Sequence, residues 1–136
     1  MEFFSSWSPD GKRILFRSYL PHDHTTTIWV MNSDGSDKVQ LVTSPGHVRG
    51  VAWNPSGDEI AFVSNASGNK DIWVMNPDGS GKTRLTTYEG DDINPLWSPD
   101  GKKIAFVRTT LYRSSDIWVM DREAVSYTHL RAHETS

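Results

Sequence analysis

Six tryptophans occur in this chain, and all six fall at fixed places in a repeating unit. Trp7-Ser8-Pro9-Asp10-Gly11 returns as Trp53-Asn54-Pro55-Ser56-Gly57 and again as Trp97-Ser98-Pro99-Asp100-Gly101. Ile28-Trp29-Val30-Met31 returns as Ile72-Trp73-Val74-Met75 and as Ile117-Trp118-Val119-Met120. The first series is spaced by 46 and 44 residues, the second by 44 and 45. A repeat of that length constrains the fold before anything else does. Each unit must be one supersecondary structure that buries its apolar faces against its neighbours.

Spacing inside the unit narrows the choice. From the first Trp to Phe16, Phe62 or Phe106 is nine residues every time. From Ile28 to Leu41 and from Ile72 to Leu85 is thirteen, and from each Leu to the next Trp is twelve. Only the stretch from Phe to Ile varies, at twelve, ten and eleven residues. All length variation sits in one connection per repeat, as in a rigid frame with one adjustable loop.

Each unit reads as four short strands. Strand A ends at the Trp, as in Asn94-Pro95-Leu96-Trp97. Ser98-Pro99-Asp100-Gly101 is a tight turn, because Pro presets φ near −65° and Gly accepts positive φ. Strand B is Lys103 to Val107, with Ile104 and Phe106 on one face. Strand C is the apolar run Asp116 to Met120, which makes sense if both faces of its sheet are covered. Asn76-Pro77-Asp78-Gly79-Ser80-Gly81 turns the chain into strand D, Thr83 to Thr86. Four strands in about 40–45 residues is the pattern of a β-propeller blade. Helical repeats need ten or more residues between breakers, and Pro, Gly and Asn-Asp clusters interrupt too often for that. The fold expected is all-β.

Composition excludes several function classes. With 136 residues the chain suits one domain. Nowhere does it approach the roughly 18 consecutive apolar residues of a spanning helix. A net charge of −3, with both signs interleaved, lacks the basic face of a nucleic-acid module. No cysteine is present, which removes disulfides, thiolate zinc sites and cysteine nucleophiles.

The pattern W-S-P-D-G-K-x-I-A-F, then I-W-V-M-[ND]-x-D-G, then x-x-L-T resembles the WD-like repeat of the TolB-type propeller family. It is similar also to the repeats of prolyl oligopeptidase and dipeptidyl peptidase propellers and of tricorn-like proteases. The resemblance covers residues 3 to about 122 and is specific for fold, since such a repeat is a scaffold on which many functions sit. Mild departures are Asn54 and Ser56 in the second turn, and Leu15 where the other units have Ala61 and Ala105.

After Met120-Asp121-Arg122 a third Asp-Gly turn and strand D are due, and the chain instead runs from Val125 to Ser136. That string resembles the in-frame translation of a transposase-type sequencing adapter found in metagenomic reads, and such scars are set aside in fold reasoning. Removing it takes His129 and His133 out of consideration and leaves the net charge unchanged, since Arg131 and Glu134 cancel. The expectation is then a partial β-propeller over 1–124, with blades at about 3–43, 48–88 and 92–122, and a non-native tail over 125–136. Two blades are complete and the third lacks its last strand. A longer native gene product follows, as does an open stack that is marginal or aggregation-prone alone. Met1 is compatible with an internal start, so the lack of a signal peptide carries no information.

Candidate chemistry is sparse. His22-Asp23-His24 supplies two metal ligands at most and reads as a solvated loop. The Asn32-Ser33-Asp34-Gly35 and Asn76-Pro77-Asp78-Gly79 segments lack the closing Glu of a calcium loop and read as hairpin turns. Asp71 and Asp116 precede the IWVM strands at matching positions and read as structural, bonding backbone at the strand start. Glu89, Asp91 and Asp92 read as a solvated connection. Neither a G-x-S-x-G elbow nor a phosphate-binding glycine loop occurs. The sequon Asn65-Ala66-Ser67 is uninformative, and the Trp pairs read as core or blade-to-blade packing. No catalytic residue, cofactor or metal is expected in this chain.

Antiparallel topology nevertheless divides the surface. The A–B and C–D turns emerge on one face and are constant. The B–C loops and blade-to-blade connections emerge on the other, with all the variation. That second face carries Arg17, Tyr19, His22, His24, His47, Arg49, Asn69, Lys70, Tyr88, Asp91, Asp92, Tyr112 and Arg113. It is the expected protein-binding face, Tyr and Arg being favoured at interface hot spots.

The resemblance implies two function classes. One is a non-enzymatic protein-binding platform like TolB of the Tol–Pal cell-envelope system, periplasmic or otherwise exported, with a peptidoglycan-associated lipoprotein as partner. The alternative is the N-terminal propeller of a prolyl oligopeptidase or dipeptidyl peptidase-type serine peptidase. There the blades filter peptides, and an α/β-hydrolase domain downstream holds the Ser-Asp-His triad. A cell-surface or sensor protein with appended repeats is a third reading that the sequence leaves open.

Overall fold

A computed structural model describes residues 4–45, 50–112, 114–123 and 126–130, and these form three four-stranded antiparallel sheets. The first sheet holds β1 (Phe4–Trp7), β2 (Arg13–Leu20), β3 (Thr25–Asn32) and β4 (Val39–Pro45). The second holds β5 (Val51–Trp53), β6 (Ile60–Ser64), β7 (Asp71–Met75) and β8 (Thr83–Arg84). The third holds β9 (Asp91–Trp97), β10 (Lys103–Thr109), β11 (Ser115–Asp121) and β12 (Tyr127–Leu130). Strands lie side by side in chain order in every sheet, and no helix occurs among the described residues. These are three propeller blades in an open stack.

The third blade corrects one expectation, for it has its fourth strand. Tyr127–Leu130, inside the segment set aside as a tail, pairs antiparallel with β11 as Met120↔Tyr127 and Ile117↔Leu130. The physical reason is an open edge: without a partner, β11 would present a row of unmet backbone donors and acceptors. A short turn returns the chain, with Asp121 N–H donating to the Ser126 carbonyl at 3.0 Å. Two ring contacts then anchor β12. Tyr127 meets Phe106 edge-on at 6.4 Å, and the His129 ring stacks on Trp118 at 4.8 Å. The Tyr127 hydroxyl also donates to the Leu85 carbonyl of the second blade.

Strand alternation gives each blade two different faces. In blade 2 the register pairs Ile60 with Met75 and Phe62 with Trp73, which places these large side chains on one face. Ala61 pairs with Val74 and Val63 with Ile72, which places aliphatic residues on the other. The aromatic face packs on Leu15, Ile28 and Val30 of blade 1. The aliphatic face packs on Trp97, Ile104, Phe106 and Met120 of blade 3. β6 is therefore buried at all five positions, whereas β10 alternates because only one side of blade 3 is covered. At about 25 cal/mol per Å² of apolar surface, this two-sided burial is the largest favourable contribution the fold makes.

The A–B turns are stitched by one repeated device. Ser98 donates from Oγ to Asp100 at 2.6 Å and accepts from Lys103 N–H at 3.0 Å, while Lys102 N–H donates to the same Asp100 oxygen at 3.0 Å. Ser8 and Asp10 do the same in blade 1. These bonds hold Asp10 and Asp100 below the ordinary carboxylate range, the serine hydroxyl being the main cause and the backbone N–H the next. Ser36 and Ser80 likewise depress Asp34 and Asp78 in the C–D turns. Asn54, which replaces the serine in blade 2, holds Ser56 N–H at 3.0 Å and extends its amide to the Gly101 carbonyl of blade 3 at 3.2 Å. The departure from the motif thus serves the blade interface.

Gly35 and Gly79 occupy the same turn position at φ of +86° and +87°. A Cβ at Gly35 would meet nothing within 4 Å, whereas at Gly79 it would lie 3.2 Å from the Cα and carbonyl oxygen of Leu41 in blade 1. Gly35→Ala is expected to cost only its left-handed strain, about 1–2 kcal/mol. Gly79→Ala should cost about 1–3 kcal/mol more, because backbone cannot give way as a side chain can. Urea denaturation of the two variants checks this, and equal losses would contradict the packing of that turn against blade 1.

Candidate interaction face

The face built from B–C loops and blade connections differs along its length. In blade 1, Pro21 to His24 form an exposed loop in which His24 has φ of +51° and its Nδ1 lies 3.2 Å from the Tyr19 hydroxyl. His22 is exposed, and Arg17 and Tyr19 are half-buried with partners of their own. Tyr112, on the blade 3 loop, is 95% exposed. His47, Arg49 and Arg113 lie outside the described residues.

Between blades 2 and 3 the same face is internally wired. The Asn69 side-chain amide donates to the carbonyls of Tyr88 and Gly90. Lys70 N–H donates to Asp91 Oδ1 at 3.1 Å, and Asp92 N–H returns a bond to the Lys70 carbonyl at 2.9 Å. The B–C loop and the connection it faces are thus one unit. Asn69, Lys70, Tyr88 and Asp91 are half-buried in it, while Glu89 is exposed.

Asp92 overturns the expectation of a solvated connection. It belongs to β9 and is fully buried. Arg108 is its cross-strand partner on β10, and the guanidinium binds both carboxylate oxygens, Nε to Oδ1 at 2.8 Å and Nη2 to Oδ2 at 3.0 Å. Its cation also sits 4.2 Å from the Tyr88 ring centroid and 4.6 Å from that of Trp118. A bidentate ion pair enclosed by aromatic faces compensates the desolvation of both charges. Arg108 was not singled out from the sequence. The signal lies in the repeat, since Ser18 and Ser64 occupy its position in the other units.

Asp71 is structural, although through side chains rather than backbone. Fully buried, it accepts from Ser67 Oγ at 2.8 Å and from Arg84 Nε and Nη2 at 2.9 and 2.7 Å. The Thr86 hydroxyl, 3.4 Å away, accepts in turn from Ile72 N–H at 2.9 Å. One carboxylate therefore ties the B–C loop, β8 and the exit from β8 together. Its repeat equivalent Asp116 is half-exposed and lies 3.4 Å from His129 Nε2. Among the described residues no three His, Cys, Asp or Glu side chains converge as metal ligands, and no helix is long and apolar enough to cross a membrane. Of the residues expected on this face, His22, His24 and Tyr112 are exposed.

Residues 3–134 match the TolB beta propeller domain family. The chain belongs to that family. Among solved structures it is similar to a TolB-designated protein of Agrobacterium tumefaciens, with a TM-score of 0.83 and 26% identity over 96% of this chain and 50% of that one. TolB from Acinetobacter baumannii aligns with a TM-score of 0.80 and 22% identity over 90% of this chain and 31% of that one. Puromycin hydrolase shares the fold at a TM-score of 0.78 and 18% identity, over 96% of this chain and 22% of the enzyme. The chain thus spans half or less of each of these proteins. Among curated proteins no match is found.

The wiring of the TolB-family face separates structural from accessible residues. Asp92→Ala is expected to destabilise by about 3–5 kcal/mol, because it strands a buried guanidinium. Tyr112→Ala should stay within about 0.5 kcal/mol, as solvated positions do. Chemical denaturation of both variants is the check, and a mild Asp92→Ala would contradict the buried pair.

Proposed function

We propose that this chain is part of a non-enzymatic, protein-binding propeller of the TolB type. It would act in the Tol–Pal cell envelope, exported to the periplasm, with a peptidoglycan-associated lipoprotein as partner. Family membership supports the reading, and so does the higher identity to the two TolB structures than to puromycin hydrolase. The observation that carries it is the accessible set His22, His24 and Tyr112, displayed from loops that join paired strands. A rigid scaffold presenting aromatic and imidazole groups suits recognition of another protein.

The puromycin hydrolase likeness favours a second reading, a serine peptidase propeller whose catalytic domain follows in a longer chain. Under either reading we propose that residues 125–136 are adapter-derived. Reading the source DNA past the Arg122 codon separates the two, since more W-S-P-D-G units favour the platform and a G-x-S-x-G segment favours the peptidase.

The direct test is calorimetric titration with the soluble domain of a peptidoglycan-associated lipoprotein. Binding with a micromolar or tighter Kd is expected, weakened about tenfold or more in a His22→Ala/Tyr112→Ala variant, as for hot-spot truncation. No heat of binding, or full affinity in the variant, would overturn the proposal.

A further inference from the structure

The two blade interfaces differ at one place. Between blades 2 and 3 the Arg108 guanidinium fills the cleft, 4.2 Å from the Tyr88 ring centroid, 4.6 Å from that of Trp118 and 5.7 Å from that of Tyr127. Repeat spacing and strand register name the counterparts between blades 1 and 2. Ser64 stands at the position of Arg108, Trp73 at that of Trp118 and Lys82 at that of Tyr127. The sequence has Val48 where blade 3 has Asp92, so the Arg108–Asp92 pair has no counterpart there. In its stead is a cavity of about 320 Å³. Leu41 and Val42 of blade 1 and Phe62 and Trp73 of blade 2 give it apolar walls, with Ser64 and Lys82 among them. That volume falls at the lower end of the roughly 300–1,000 Å³ of ligand pockets, which are likewise apolar with a few placed polar groups.

Those polar groups can all donate. Trp73 Nε1 is buried and has no hydrogen-bond partner among the described residues. Its counterpart Trp29 donates to Ser18 Oγ at 3.1 Å, a bond that blade 2 does not repeat. Ser64 Oγ accepts instead from Ala66 N–H at 3.2 Å, which leaves its own hydrogen to give. Lys82 Nζ donates to the Gly79 carbonyl at 2.6 Å and keeps further N–H groups. Among the described residues Lys82 is the one charged member of the lining. Asp71, across from Ser64 on β7, is already bound by Arg84.

We propose that this cavity binds a small molecule with an aromatic or aliphatic body and a single carboxylate. The apolar walls take the body, and removing both surfaces from water drives the contact. The carboxylate only accepts, and it meets a lysine ammonium and neighbouring donors in a charge-assisted arrangement. A buried donor without an acceptor is costly, so a ligand oxygen at Trp73 relieves a deficit that the other blades do not carry to the same degree. A cationic ligand, imitating Arg108, is disfavoured on the same observations. Lys82 repels it, and no carboxylate stands where Asp92 does.

The indole N–H resonance of Trp73, assigned in the isotope-labelled 136-residue chain by comparison with Trp73→Phe, reports on the site. Titration with phenylacetate is expected to shift it saturably, with a Kd of about 1 mM or tighter. Phenylacetamide, which has the same body without the charge, should bind about tenfold or more weakly. Phenethylamine should give no saturable shift. Lys82→Gln changes an exposed residue, keeps the fold and should lose about tenfold in affinity for phenylacetate. No saturable shift with phenylacetate, phenethylamine binding as tightly, or full affinity in Lys82→Gln would overturn the proposal.

Discussion

Packing of an aromatic blade face on an aliphatic one is the interaction on which the rest of this structure depends. A single four-stranded sheet of this size has no core of its own. Ile60, Phe62, Trp73 and Met75 on one face and the aliphatic Ala61, Val63, Ile72 and Val74 on the other let blade 2 act as the centre of two different interfaces. The difference in size between the faces makes the stack directional. Bulky rings of one blade fill the shallow surface of the last, and like faces would leave either voids or clashes. Turns, loops and ion pairs are arranged around that stack and none replaces it.

Two kinds of polar wiring then set the character of the two surfaces. On the turn face, Ser-Asp pairs close the A–B turns of blades 1 and 3 and the C–D turns of blades 1 and 2 locally, while Asn54 reaches from blade 2 to Gly101 of blade 3. Arg122 adds a second tie there, its guanidinium held to Glu59 by two bonds, which raises its already high pKa. On the loop face, buried carboxylates at Asp71 and Asp92 recruit Arg84 and Arg108 and draw the connections inward. The loops around His22 and Tyr112 stay exposed. Exposed and structural residues thus share one face.

Much of the fold was legible because spacing in a repeat is a geometric signal. The Trp, Phe, Ile and Leu positions marked the strands, and the Pro, Asp and Gly positions marked the turns. What the repeat could not convey were features that depart from it. β12 was missed because no Asp-Gly turn precedes Tyr127–Leu130, although Leu130 stands thirteen residues after Ile117 as Leu41 and Leu85 do after Ile28 and Ile72. Asp92 looked like part of an acidic loop, since its burial depends on a cross-strand arginine at a position that is serine elsewhere. Trp7 looked like core by analogy with Trp53 and Trp97, and is 59% exposed on the outer face of blade 1. Each error has the same origin. Repeats report the average unit, while the ends of the stack and the individual ion pairs belong to single blades.

Hydrogen exchange resolved by residue tests the central claim, that the three blades form one cooperative stack organised by blade 2. Amides of β6 and β7 should exchange slowest and at a common rate set by global unfolding, with β1 and β12 at the edges opening first. Protection in β2, β3, β10 and β11 should be lost together with that of blade 2 when Phe62 is truncated to Ala. Blades that exchange independently, or a β6 no better protected than β2, would show that the sheets are stabilised separately and that two-faced packing is not what holds them together.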